Sequence, residues 1–382
     1  MSALGLPPLG LYIHIPWCER KCPYCDFNSH EPDGELPEQA YIESLLLDLE
    51  ADLHYVQDRP LHSVFIGGGT PSLISAGGLS ALLQGVRDRL EFKADCEVTL
   101  EANPGSAEAE KFAGFVAAGV NRLSLGVQSF DDQRLAALGR IHNSEQANAA
   151  VEAARAAGIS NLNIDLMHGL PGQGVTGACF DLEQALALAP EHLSWYQLTI
   201  ERNTPFWKQP PVLPVEDDLA RIQDAGEPLL GDAGFMNYEV SAYATTGYRC
   251  HHNLNYWQFG DYLGIGAGAH GKLTLPGEDK IIRTAKRRQP AHYLAAASND
   301  FLAQEKELTP PERAGDYMLN ALRLTDGFDL AQFRERTGLF DQVIESSLQR
   351  LQARELLGVE NGRVKPTPLG RRFLDDVVAE FI

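Results

Sequence analysis

Three cysteines lie close together near the amino terminus, in the segment Cys18-Glu-Arg-Lys-Cys22-Pro-Tyr-Cys25. Thiolates at such spacing can bind zinc or an iron–sulfur cluster. Structural zinc takes four ligands, and no fourth Cys or paired His follows in the loop. The spacing therefore favours a [4Fe–4S] cluster that keeps one iron open. A zinc ion with further ligands from elsewhere in the chain is the main alternative.

Glycines and polar residues recur near the ends of the other predicted strands. The turn Gly67-Gly-Gly-Thr-Pro71 lets the backbone approach a ligand closely, because glycine has no Cβ. Carboxylates and a guanidinium could bind polar groups of a small cofactor, and an inward tyrosine on the first strand could cover it. The candidates are Tyr12, Gly68, Thr70, Glu101, Gln128, Arg140 and Asp165.

A third candidate site is the string His252-Asn253-Leu-Asn-Tyr256-Trp257. An imidazole is a good axial ligand for heme iron, and the two aromatic rings offer flat apolar faces to a macrocycle. Asn253 could orient the imidazole or cap a turn. Because His251 and Cys250 are adjacent, the axial ligand stays open among these two residues and His252. A buried aromatic turn with a hydrogen-bonded histidine is the alternative.

The elements that position these residues alternate regularly over the first two hundred residues. Apolar residues between the β-rich runs fall at helical spacing, as in Tyr41, Leu45, Leu49 and Leu53. Such alternation predicts parallel strands joined by right-handed crossovers. The predicted strands cover residues 10–16, 63–66, 97–101, 122–127, 161–167 and 192–200, and the predicted helices cover 38–56, 78–90, 107–118, 131–138, 145–157 and 177–188.

Six such units could form a doubly wound sheet or an opened (β/α)8 barrel. A doubly wound sheet would gather the polar strand ends at one crevice, whereas a barrel would arrange them around one mouth. Because all six strands end in polar or glycine-rich residues, we predict an α/β fold with a partial (β/α)6, TIM-like barrel.

The rest of the chain departs from this alternation. It predicts a helix over 216–230, an edge strand over 235–243, and then helices with a hairpin around Glu360-Asn-Gly-Arg363. The last section is predicted to be a small, mostly α, winged-helix-like domain that caps the barrel or contacts other proteins. We therefore expect a barrel over 1–245, a connecting segment with the His252 string over 246–305, and a C-terminal domain over 306–382.

Composition excludes some classes of function. The formal net charge is −20, which argues against a general nucleic-acid binder. Arg283, Lys286, Arg287 and Arg288 form a local basic patch that is either a solvated face or a contact for propionates or lipid headgroups. No signal peptide and no apolar run long enough to span a bilayer is found, so we expect a cytoplasmic chain with at most peripheral membrane contact.

The cysteine spacing, with Tyr24 before the third Cys, resembles the signature of the radical S-adenosylmethionine (SAM) family. The resemblance implies that Cys18, Cys22 and Cys25 hold a [4Fe–4S] cluster whose open iron is chelated by SAM. It also implies that the glycine-rich turn binds the amino group of SAM. In order and approximate spacing, Tyr12, Gly68, Thr70, Glu101, Gln128, Arg140 and Asp165 resemble the SAM-binding positions of the oxygen-independent coproporphyrinogen III oxidase (HemN) family.

Two features separate this chain from the oxidases of that family. Phe27 occupies the place of a fourth Cys, and only seventeen residues precede the cluster loop. The His252 string matches H-N-x-x-Y-W, which is typical of the HemW-type heme chaperones within the family. The resemblance thus implies heme binding and delivery to cytochrome-containing respiratory proteins, with SAM and the cluster in structural or regulatory roles such as dimerisation. Oxidase activity, or radical chemistry on another tetrapyrrole, is the alternative, so whether the chain is an enzyme stays open.

Overall fold

The computed structural model describes residues 4–296 and 300–382. Six parallel strands form one half of its large sheet, and each pairs with the next along the chain. Their apolar residues are almost completely buried, as strands covered on both faces require. The strands are β1 (Leu9–Ile15), β2 (Leu61–Gly68), β3 (Phe92–Ala102), β4 (Arg122–Gln128), β5 (Leu162–His168) and β6 (His192–Gln197).

Helices connect these strands, as the spacing predicts. Several begin at side-chain caps, such as Ser75 at the second helix and the Asn143 capping box at the sixth. The predicted helix over 107–118 is divided into two. The helices are α1 (Glu38–Asp52), α2 (Ala76–Arg87), α3 (Ser106–Ala109), α4 (Phe112–Ala118), α5 (Asp132–Ala137), α6 (Ser144–Ala156) and α7 (Val175–Ala187).

The sheet continues beyond both edges of the six-stranded unit, to twelve strands in all. At the β6 edge, the predicted single strand over 235–243 is an antiparallel hairpin. At the β1 edge, a strand from the predicted connecting segment pairs in parallel with β1, and three antiparallel strands follow. The elements of this region are α8 (Pro205–Lys208), α9 (Glu216–Asp232), β7 (Met236–Glu239), β8 (Ala242–Ala244), α10 (His251–Trp257), β9 (Asp261–Ile265), β10 (His270–Leu275), β11 (Lys280–Lys286), α11 (Pro290–Leu294) and β12 (Leu302–Glu307).

The C-terminal section has its own hydrophobic core and a three-stranded sheet. After its last strand the chain forms two short helices, interrupted at Phe373. The elements are α12 (Pro310–Ala321), β13 (Phe328–Asp329), α13 (Leu330–Thr337), α14 (Gln342–Ala353), β14 (Leu357–Glu360), β15 (Arg363–Pro366), α15 (Pro368–Arg372) and α16 (Leu374–Ala379).

The prediction of an α/β partial barrel with a small C-terminal domain is thus confirmed. The domain boundaries stay predictions, and the segment 246–305 does more than connect. Its residues Leu263, Ile265 and Leu273 belong to the same hydrophobic core as the barrel strands. In the part of the chain that the structure describes, no helix has the length and apolar character needed to cross a membrane.

Candidate functional site

The cysteine loop is fixed to the barrel by the glycine-rich turn. The amides of Gly69 and Thr70 donate to the carbonyls of Ile15 and Trp17, both at 2.7 Å. Gly68 has a φ of +115°, and a Cβ there would lie 2.5 Å from the His14 ring. A Cβ on Gly69 would lie 2.4 Å from the Trp17 carbonyl oxygen. Glycine is therefore required where β2 passes the loop.

The three thiols meet the chemical requirements of a cluster. Cys18 is buried, whereas Cys22 and Cys25 are half-buried, and the Cys25 amide closes a turn onto the Cys22 carbonyl at 3.1 Å. Arg140 Nη1 lies 3.6 Å from Cys22 Sγ, so a cationic donor adjoins this sulfur. Burial raises the pKa of Cys18 and Cys25, so a metal is needed to hold those sulfurs deprotonated.

A zinc site finds less support. Among residues 4–296 and 300–382, no set of three His, Cys, Asp or Glu side chains is spaced to hold a single metal ion. Zinc places its ligands within about 2.3 Å of one centre, whereas the sulfurs of a cubane cluster are bound to different irons. The donor set therefore fits the cluster better than it fits a single ion.

Glu101 and Asp165 face the barrel interior and carry shifted pKa values. Glu101 Oε2 accepts from the Gly68 amide at 3.2 Å, which brings its carboxyl to the glycine-rich turn. Burial, with the charge of Asp165 as a second cause, raises the pKa of Glu101 to about 8. Asp165 accepts from Ser124 at 3.0 Å and from Asn163 at 2.8 Å, and burial raises its pKa.

In this structure the Arg140 guanidinium contacts neighbouring protein groups and thereby positions them. Its Nη2 donates to Asn103 Oδ1 and to the Gly126 carbonyl, both at 2.7 Å. Asn103 in turn donates to Thr70 Oγ1 at 3.1 Å. Sequence reasoning missed Asn103, although it lies two residues after Glu101. The predicted binding of the Arg140 guanidinium to polar groups of a cofactor stays a prediction.

The other predicted cofactor-binding side chains make separate contacts within the protein. Gln128 has a φ of +72° at the end of β4 and accepts from the Tyr196 hydroxyl at 2.8 Å. Tyr12 pairs with His14 Nδ1 at 2.9 Å. Tyr24 lies beside Phe206, with ring centroids 6.4 Å apart. Tyr196 was not predicted as a site residue, because its strand contains no motif that marks it.

The His252 string forms α10, which packs against the amino-terminal half of the barrel strands. The Glu97 carboxylate of β3 accepts from the amides of His251 and His252, both at 3.1 Å, and from Cys250 Sγ at 3.4 Å. This buried carboxylate stabilises the start of the helix. The cysteine loop lies at the opposite, carboxyl-terminal ends of the strands.

His252 is almost completely buried, and both of its ring nitrogens are paired. Nδ1 lies 2.8 Å from Ser63 Oγ, and Nε2 lies 2.8 Å from the Tyr256 hydroxyl. Burial lowers the pKa of His252 to about 3, so the ring is neutral. In this conformation an iron could bind His252 only if Tyr256 or Ser63 released its nitrogen.

The remaining residues of the string do not all line one cavity. Tyr256 borders the main cavity. Trp257 lines a separate cavity of about 190 Å³ and stacks under Arg323, whose Cζ is 4.2 Å from the ring centroid. The side chain of Asn253 makes no hydrogen bond within the described chain, whereas Asn255 donates to the Asp261 carbonyl at 2.8 Å.

A cavity of about 600 Å³ extends from the glycine-rich turn to α10. Gly68 and Glu101 border it near the cysteine loop, and Tyr256 and Tyr262 border it near α10. Its exposed rim includes Phe27, His270 and Arg288. The volume lies in the usual range for ligand pockets. Three of the predicted SAM-binding residues, Tyr12, Gly68 and Glu101, thus line the same cavity as the aromatic rings.

Comparisons with known proteins show the family to which the chain belongs. A model of the radical SAM superfamily matches residues 12–175, and a model of the HemN C-terminal domain matches residues 308–373. The chain is 47% identical over 381 residues to the heme chaperone HemW of Haemophilus influenzae, covering 99% of this chain and 98% of the relative. It is 48% identical over 377 residues to the Escherichia coli heme chaperone HemW, covering 99% of both. The chain belongs to the HemW family.

A solved structure supports the fold of this HemW-family chain. The coproporphyrinogen III oxidase HemN of E. coli, a radical SAM enzyme, superposes with a TM-score of 0.83 over 98% of this chain and 90% of the oxidase. At 22% identity this likeness shows the fold alone. The radical SAM domain implies a [4Fe–4S] cluster and SAM. In this HemW-family chain, the cysteine loop fits the cluster and the glycine-rich turn fits SAM.

Proposed function

We propose that this chain is a heme chaperone that binds heme, a [4Fe–4S] cluster and SAM, and that delivers heme to respiratory cytochrome proteins. The observation that carries the proposal is the 47–48% identity, over the full chain, to proteins named heme chaperone HemW. The cavity supports it, because aromatic walls beside exposed cationic and imidazole side chains suit a macrocycle with acidic substituents.

In this proposal each group of residues has one task. Cys18, Cys22 and Cys25 hold the cluster, and the Arg140 guanidinium contacts the Cys22 sulfur. A bound cluster supplies an electron donor with one open iron beside the SAM site. Gly68, through its position next to Glu101, brings backbone and carboxyl groups to the amino end of SAM. The other residues proposed to bind SAM are Tyr12, Tyr24, Thr70, Gln128, Arg140 and Asp165.

The His252 string is proposed to act on heme through the cavity wall that it builds. Tyr256 presents its ring to the cavity, and His252 fixes its hydroxyl. Asn253 and Trp257 are proposed to contact the macrocycle only after α10 has moved, because they lie outside the main cavity here.

We propose a cytoplasmic chain that meets its acceptors peripherally at the inner membrane, with dimerisation as a means of control. Heme transfer tests this function. Heme-loaded, cluster-reconstituted protein is mixed anaerobically with vesicles that contain an apo-cytochrome b, and the cytochrome spectrum is followed. Transfer faster than from heme-loaded albumin is expected. A rate no higher than that of the albumin control would contradict delivery.

The same preparation tests the alternative of an enzyme. Reconstituted protein is incubated anaerobically with SAM, a reductant and coproporphyrinogen III. No protoporphyrinogen is expected, since Phe27 stands where the oxidases carry a fourth Cys. Its formation over many turnovers would make binding and delivery the secondary activity.

A further inference from the structure

The cavity contains a histidine whose ring nitrogens are unpaired within the described chain. Two histidines border the cavity, His14 and His270. His14 is buried, with Nδ1 paired to Tyr12 and Nε2 paired to the Asn28 carbonyl, both at 2.9 Å. His270 is exposed at the start of β10, and its ring makes no hydrogen bond to any described residue. An iron that enters the cavity therefore meets His270 with no internal bond to break.

A cation stands on the same rim. Arg288 is exposed, and among the described residues the only hydrogen bond of its side chain is the one from Nε to Asn28 Oδ1 at 3.3 Å. The two neighbouring basic residues are already neutralised: Lys286 pairs with Asp48 and Asp52, and Arg287 pairs with Asp300. Of these three, Arg288 is the one left for a ligand carboxylate.

Backbone contacts hold the two segments that carry these side chains. His270 lies opposite Ala285 in the β10–β11 ladder, and Ala285 also lines the cavity. Asn28, from the cysteine loop, donates to the carbonyls of Ala267 and Arg288, both at 2.8 Å. One asparagine thus ties the cluster loop to both sides of the rim.

We propose that heme binds in this cavity with its iron on the His270 imidazole and a propionate on the Arg288 guanidinium. The macrocycle lies against the rings of Phe27, Tyr256 and Tyr262. His252 then acts as a positioning residue that fixes Tyr256, not as the axial ligand. This assignment rests on the proposed heme-binding function and names its ligand and its anion contact.

The test is a titration of ferric heme into reconstituted wild-type protein and variants, followed by absorption and electron paramagnetic resonance. His270→Ala is expected to weaken heme binding by about tenfold or more and to shift the Soret band. Free imidazole is expected to restore the wild-type spectrum. His292→Ala is the matched control, because His292 is exposed and lies outside the cavity. Wild-type spectra from His270→Ala would overturn the assignment.

Two further variants separate the ligands. His252→Ala is expected to keep the wild-type spin state, whereas loss of that spin state in His252→Ala but not in His270→Ala would overturn the proposal. Arg288→Gln is expected to remove the preference for heme over its dimethyl ester, a difference of about fivefold or less at an exposed pair. Arg221→Gln, at an exposed arginine on α9, should retain that preference. A wild-type protein that binds no heme would refute the proposed function, and the site with it.

Discussion

Burial disfavours the ionised form of the Glu101 carboxyl. The folded protein keeps this carboxyl protonated up to a pKa of about 8, whereas the ordinary value is 4.5. The stability that the neutral form contributes is therefore full below pH 4.5 and is lost as the pH rises through 8. SAM carries a cationic amino group and sulfonium, so its binding would restore a favourable partner for the ionised form.

Replacing Glu101 with Gln should remove this pH dependence. Without SAM, we expect the thermal midpoint of Glu101→Gln to exceed that of wild type by an increasing margin as the pH rises from 5 to 8.5. The increase should correspond to a few kcal/mol at most in the free energy of unfolding. With SAM at pH 8.5 the variant should bind about tenfold more weakly, because a charged hydrogen bond is lost. Glu110→Gln, at an exposed carboxyl, is the control. A pH-independent difference would contradict the shifted pKa.

The cluster should depend on three thiols and no others. Cys22→Ser is expected to lower the iron and sulfide content of anaerobically reconstituted protein to background, because oxygen replaces the thiolate that Arg140 contacts. Cys179→Ser, at a half-buried cysteine on α7, should retain both. Full iron and sulfide in Cys22→Ser would mean that the cluster binds elsewhere.

At the scale of elements, α10 depends on a carboxylate from a distant strand. Glu97 caps the helix amides and lies 4.0 Å from the buried Arg122. Glu97→Ala removes the cap and leaves the buried Arg122 without this ion-pair partner, so we expect a loss of about 3–5 kcal/mol in the free energy of unfolding. Denaturant titration measures it. Glu152→Ala, at an exposed site on α6, should change it by about 0.5 kcal/mol or less. An equal effect in both variants would show that the cap is unimportant.

The same element shows where sequence reasoning stops. The cysteine loop and the glycine-rich turn follow consecutive strands of a predictable barrel, so their proximity could be derived from alternation and strand order. The position of α10 could not be derived in this way, because Glu97 and His252 are far apart in the sequence and no local pattern links them. The two hydrogen bonds that occupy His252 were equally hidden, since Ser63 reads as an ordinary strand residue. His270 and Asn28 belong to no sequence motif, and only their place in the cavity wall points to them.

At the scale of the whole molecule, the barrel and the C-terminal domain share an apolar contact. Phe259 and Ile281 from the barrel side belong to the C-terminal core, and the Phe259 and Tyr317 rings meet edge-on with centroids 5.6 Å apart. Arg283 and Asp316 form an ion pair at 2.8 Å beside them. The second cavity, with Trp257, lies at this junction, because Asn320 of α12 also lines it. Residues of α10 and α12 thus line the same cavity.

Removing the buried aromatic ring should loosen this junction. Tyr317→Ala is expected to lower the free energy of unfolding by about 3–5 kcal/mol, because Tyr317 packs against Phe259, Phe328 and Phe333. Tyr248→Ala, away from this core, is the control. Denaturant unfolding measures the change. A loss below about 1 kcal/mol would mean that the two cores are independent of this ring.

The most direct test is the stoichiometry of heme binding to the cluster-loaded chain. An anaerobic titration of heme, followed at the Soret band and checked against iron and sulfide analysis, should saturate at one heme per chain beside a complete cluster. Uptake that never saturates, or that is equal in protein denatured before the titration, would contradict a specific heme chaperone.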